Sequence, residues 1–182
     1  MKTLQTLALT FFAFSVCACA QAPATPVAAT PKPTVVGPSD KKFFKDVSEG
    51  QMLEQKLCEM ARRSALKEDV KKLAEKVGGE LTKGWTEFAT IAQSKGAEKE
   101  LAMDLKGPDK TTKEKVQKLK DDKFDVAFLD EMADASKKLA KLYENAAKTA
   151  GDAEIKAYAE KMLPTLKSHA EEIAAAKKNY KK

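Results

Sequence analysis

Histidine is almost missing from this chain: His169 is the single one in 182 residues, and cysteine numbers three. A zinc finger, a multi-histidine metal centre or a disulfide framework needs more of both. Arginine is confined to Arg62 and Arg63, so the net charge of +6 comes from lysine interleaved with Asp and Glu. Nucleic-acid grooves favour arginine among interleaved aromatics, and aromatics are 7% here, so no nucleic-acid partner is expected. Glycine-rich phosphate loops, Ser/His/Asp arrangements and CxxC pairs are absent. Glycine (8) and proline (7) are few, and most of the prolines precede residue 40, which leaves the remainder free to form long helices. There is also no hydrophobic run long enough to span a bilayer as a stable helix, since the longest, Leu4 to Val16, is too short.

What is present begins with that run. Met1-Lys2 ahead of Leu4–Val16 has the layout of an export leader. Ala18-Cys19-Ala20 allows two exits: cleavage after Ala20 as Ala-x-Ala, or cleavage before Cys19 with lipidation of its thiol, reading residues 16–19 as a lipobox. The expected organisation is therefore a signal peptide over residues 1–20 (1–18 in a lipoprotein), a Pro/Ala/Thr-rich tether over 21–38, and a helical domain over 39–182. The expected location is the bacterial cell envelope, either periplasmic or membrane-tethered through Cys19. After processing, Cys58 is the one remaining thiol, for which a buried structural place is the default. Lys177-Lys178 and Lys181-Lys182 read as a solvated helix end that complements the helix dipole, or as a contact for an anionic envelope surface or polymer.

From residue 39 onward the apolar spacing is helical. It predicts helix A over 40–63 and helix B over 66–95, joined almost without a loop, so that they form an antiparallel hairpin. Helix C follows over 122–150, and Gly151 ends it. Helix D is capped by Asp152 and interrupted by Pro164, where a kink is expected. The segment 96–121 is long enough to return along the whole bundle; Gly107-Pro108 breaks it, and Thr111-x-x-Glu114 reads as a capping box opening a short helix over 112–119. These lengths predict an all-α, ferritin-like four-helix bundle with one long crossover between helices B and C. Gly78-Gly79 in mid-helix B marks either a close helix approach or a tolerated weak spot. No internal repeat stands out.

Two ionisable residues fall on apolar stripes, Glu54 in helix A and His169 in helix D. Helices A and D can face each other, so a buried Glu54–His169 pair is expected, with a structural hydrogen bond as its first meaning. The two are weak candidates for a metal site, because one carboxylate and one imidazole supply too few ligands to close one. No nucleophile or oxyanion donor accompanies them, so no catalytic residue and no cofactor are expected.

Gly50-Gln51-Met52-Leu53-Glu54, Leu73–Val77, Phe124–Leu129 and above all Glu154–Ala159 with Leu163-Pro164-Thr165-Leu166-Lys167-Ser168-His169 give the chain a family resemblance. Over about residues 40–177 it resembles exported bacterial proteins with a ferritin-like domain of unknown function, often labelled outer-membrane proteins. That family usually carries Asp-His in mid-helix B and in mid-helix C, where this chain reads Glu80-Leu81 and Ala135-Ser136. The resemblance implies the fold and the envelope location, and no activity. The functional expectation is a non-catalytic envelope protein with a structural or binding role. The alternative is a metal-binding or redox protein using Glu54, His169 and Cys58.

Overall fold

A computed structural model describes residues 36–180, and the expected leader, Cys19 and nearly all of the tether lie outside them. Among the described residues the chain is helical, with no strands: α1 Pro38–Ser64, α2 Glu68–Ser94, α3 Gly107–Gln117, α4 Asp121–Thr149 and α5 Ala153–Tyr180, with a single 3-10 turn at Glu98–Glu100. The long helices start and stop within about two residues of the sequence reading. Pro38 opens α1, a position where its missing N–H costs nothing. Asp152 caps α5 as expected, its Oδ1 accepting from the N–H groups of Glu154 (2.9 Å) and Ile155 (3.2 Å). α5 runs on through Pro164 as one helix. No helix of the described residues is long and apolar enough to cross a membrane.

The expected capping box does not form. α3 begins earlier, at Gly107, whose φ of 51° makes the turn, with Pro108 preset for the first helical turn. The Thr111 hydroxyl is already inside the helix and donates back to the Gly107 carbonyl at 3.2 Å. Gly107-Pro108 thus opens a helix where a break was expected.

α1 and α2 form one antiparallel hairpin, α4 and α5 a second, and the hairpins meet chiefly along α1 and α4. Two aspartates latch them. Asp125 of α4, fully buried, accepts from the backbone N–H groups of Leu66 and Lys67 in the α1–α2 turn, both at 2.9 Å. Asp40 of α1 accepts from Gly151 and Asp152 in the α4–α5 turn, at 3.1 and 3.2 Å. Each carboxylate satisfies two donors that the tight turn would otherwise leave unpaired. Gly151 suits its place because a Cβ there would meet Asp40 Oδ2 at 3.3 Å.

These contacts are reciprocal, and they reveal a repeat. One constant spacing relates Asp40 to Asp125, Leu66 to Gly151 and Lys67 to Asp152. The same spacing pairs the core residues Phe43 with Phe128, Val47 with Met132, Val70 with Ile155, Ala74 with Ala159 and Leu81 with Leu166. The two hairpins are therefore equivalent in position, with identity kept at Asp40/Asp125, Phe43/Phe128, Ala74/Ala159 and Leu81/Leu166 among these pairs.

The latches also set the helix directions. Asp125 holds the starts of α2 and α4 at one end, while Lys95 at the end of α2 reaches Asp152 (2.8 Å) and Glu154 (2.9 Å) at the start of α5, at the other. Twenty-seven residues of α2 span about 40 Å. Residues 96–120 must cover that distance back. They are held to α1 by Ser48, whose buried hydroxyl accepts from Ala102 N–H at 2.8 Å, and by Val116, which is fully buried.

Removing either latch should cost a similar amount. Asp125→Ala and Asp40→Ala are each expected to lower stability by about 2–4 kcal/mol in chemical denaturation. A loss under about 0.5 kcal/mol in either one contradicts this.

Candidate functional site

The core is apolar and aromatic at one level and polar at the next. Phe43, Phe44, Phe88, Tyr143 and Tyr158 pack with ring centroids 5.4–6.0 Å apart. The two tyrosines keep their hydroxyls occupied, as burial requires. Tyr158 donates to the Gly84 carbonyl (2.9 Å), and Gln51 Nε2 donates to the Tyr143 oxygen (3.0 Å). Gly84 leaves room for Met162, whose Cε would lie 2.8 Å from a Cβ there.

One helical turn beyond Gln51 lies Glu54, 1% exposed. Neither of its carboxylate oxygens has a hydrogen-bond partner, and the same is true of Gln51 Oε1 and Ser136 Oγ. Burial pushes the Glu54 carboxyl up to about 7, and the neighbouring Ser136 hydroxyl offsets only part of that rise without forming a well-aligned hydrogen bond. Cys58, one further turn along, is buried and its thiol is pushed up to about 12, first by desolvation and then by Glu54. A thiol held so far above neutrality is inert as a nucleophile. Cys58 also explains Gly78, where a Cβ would stand 3.1 Å from its own; Gly79 faces open space.

The expected Glu54–His169 pair is not made. His169 is 1% exposed, as its place on the apolar stripe implies, but its Nε2 bonds Glu80 Oε2 of α2 at 2.7 Å. Its Nδ1 has no partner. A neutral imidazole with its proton on Nε2 donates to Glu80 and leaves only a lone pair at Nδ1, which is the less costly orphan. The difference between the two carboxylates is solvation. Glu80 sits at the half-exposed edge of the α2–α5 seam, so it satisfies the imidazole while keeping contact with water. A buried Glu54 offers no such relief.

Glu80 was not singled out from the sequence, yet a signal for it exists. Along the α2–α5 seam, numbers rise on one helix as they fall on the other: Lys76–Glu172 (2.6 Å), Glu80–His169 (2.7 Å) and Glu87–Lys161 (2.7 Å). Antiparallel partners of opposite character at a nearly constant sum form a ladder, and His169 is its inner rung. The outer rungs are exposed and contribute little.

As ligand sets these residues are sparse. Among the described residues no group of three or more His, Cys, Asp or Glu side chains gathers closely enough to hold a metal ion. A family model described as Domain of unknown function (DUF4142) matches residues 22–176. The chain belongs to that family. The resemblance read in the sequence holds at that level, and the match takes in both hairpins of the DUF4142 chain and its polar layer. None of the curated proteins and none of the solved structures matches it.

Two predictions follow from the polar layer of this DUF4142 domain. Glu54 has a folded value above its unfolded one of 4.5, so the folded state holds the extra proton between about 4.5 and 7. Stability should therefore fall as pH rises through that window, by a Glu54 contribution on the order of 3 kcal/mol, and stay low above it. Glu54→Gln removes this slope and is more stable than the parent at pH 8; equal pH profiles for the two contradict it. In the second, the His169 ring nitrogen shifts in NMR move in Glu80→Ala and hold in Glu54→Gln. The reverse pattern restores the pair expected from sequence.

Proposed function

We propose that this DUF4142 chain is a non-catalytic helical module of the bacterial cell envelope, with a ferritin-like four-helix arrangement and one long crossover between α2 and α4. Its role is structural or binding. The arrangement is supported by the two equivalent hairpins and by a connection that returns the length of α2. The location is supported by the leader-like Met1–Val16 and the Pro/Ala/Thr-rich stretch after it.

The observation that carries the non-catalytic reading is how the interior polar groups are employed. His169 is held by Glu80, Asp125 and Asp40 by turn amides, Tyr158 by a backbone carbonyl and Gln51 by Tyr143. Glu54 has the Ser136 hydroxyl beside it but forms no well-aligned hydrogen bond with it, whereas proton transfer or covalent catalysis needs such a partner within hydrogen-bond reach.

The metal-binding alternative keeps one point in its favour: Glu54 and His169 Nδ1 both have free electron pairs in the interior. It requires the two to converge on one ion with further ligands from outside the described groups. Elemental analysis of the purified full chain, with fractionation of the cells that make it, separates the readings. The proposal expects substoichiometric metal and recovery in the envelope or periplasmic fraction. A tightly held stoichiometric metal, or recovery in the cytoplasm, overturns it.

A further inference from the structure

We propose that the cleft between the end of α1, α3 and the start of α4 binds an anionic amphiphile, a phosphate or carboxylate head group on an alkyl chain. This deepens the binding role proposed above and rests on it. The cleft has a volume of ≈ 370 Å³, within the range of small-ligand sites. Four cationic side chains line it: Lys56, Arg63, Lys113 and Lys120. The one acid among the lining residues is Glu59, which Lys56 engages at 3.3 Å. Among the described residues no ion pair takes up Arg63, Lys113 or Lys120.

Unpaired lysines are common on this surface; what marks this cleft is that three unpaired cations line one hollow whose single acid is already engaged. A neighbouring cleft along α1, α3 and α4 has the opposite balance, with Asp46, Glu49, Asp109, Glu131 and Asp134 against Lys138 and Lys141. Uncompensated cations brought together across three elements repel one another, and an anion relieves that repulsion. Arg63 adds geometry to charge, because its planar fork matches a carboxylate or phosphate through two parallel hydrogen bonds. The chain has two arginines in all, and this cleft uses one.

Between the cations the lining exposes part of the half-buried Met60 and Leu119, while Phe124 is already packed into the core. A bare inorganic ion would leave the exposed parts of Met60 and Leu119 wet. The alkyl chain of an amphiphile covers them, and each buried methylene adds about 0.8 kcal/mol. The lysine stems can lie along the same chain while their ammonium groups stay in water.

The test is titration of the full chain with dodecyl phosphate and with laurate, both below their micelle-forming concentrations. Inorganic phosphate and dodecyl maltoside serve as the head-group-only and neutral-chain probes. At least one anionic amphiphile is expected to bind saturably, the tighter of the two identifying the head group, with affinity falling as salt rises. The double variant Arg63→Gln/Lys120→Gln, at exposed positions, should weaken it by about tenfold or more. Lys42→Gln/Lys148→Gln, at the opposite end of α1, should leave it unchanged. The proposal is overturned if neither amphiphile binds, if dodecyl maltoside or inorganic phosphate binds as tightly, or if the Arg63/Lys120 variant binds like the parent. Such a result leaves the envelope location standing, because fractionation tests that separately.

Discussion

Everything in this fold depends on two tight turns that cannot satisfy their own backbone. A hairpin of two long helices joined by three residues leaves N–H groups at the start of its second helix with no intrahelical acceptor. Here each hairpin obtains its acceptor from the other: Asp125 serves Leu66 and Lys67, and Asp40 serves Gly151 and Asp152. A buried carboxylate facing two backbone donors is stabilised by them, and the donors are satisfied in turn, so the polar cost of each turn is met only when both hairpins are in place. Apolar packing brings the hairpins together, but the aspartates fix their register and orientation.

With the ends latched, the middle of the molecule can hold an imperfect layer. Glu54 lacks a partner, Gln51 and Ser136 each keep a free acceptor oxygen, and His169 is anchored outward to Glu80. A protonated Glu54 suits this layer better than an ionised one, since a neutral carboxyl has a proton to donate and no charge to desolvate. The shift in Glu54 is thus a consequence of burial without compensation. The α2–α5 seam balances its charges across the ladder, whereas the cleft of Arg63, Lys113 and Lys120 does not, and that contrast separates a solvated face from a candidate binding surface.

The long helices, the hairpins, the returning connection and the Asp152 cap were legible in the sequence because each rests on local spacing or a local hydrogen bond. Asp40 and Asp125 were not, because they act across the fold and look like ordinary acids near the starts of their own helices. The repeat was hidden for a related reason: identical pairs such as Phe43/Phe128, Ala74/Ala159 and Leu81/Leu166 are scattered among pairs that share burial alone, as in Val47/Met132 and Val70/Ile155. Glu54 and His169 were each placed inside correctly, since helical periodicity decides which face a residue takes. Their pairing was misjudged because periodicity gives the face and not the partner, and Glu80 at the edge of the seam was the better acceptor. Gly107-Pro108 was read as a break because the pair ends helices more visibly than it begins them, although a positive φ followed by proline does the latter here.

The mutual latch is tested most directly by amide hydrogen exchange at Leu66, Lys67, Gly151 and Asp152 in the native full chain. These four sit in turns, where amides ordinarily exchange at the speed of local fraying. Bonded to aspartates that belong to the opposite hairpin, they should exchange as slowly as amides in the middle of α1 and α4, opening only when the hairpins separate. Exchange at the rate of an exposed turn, with the helix interiors still protected, would contradict the account.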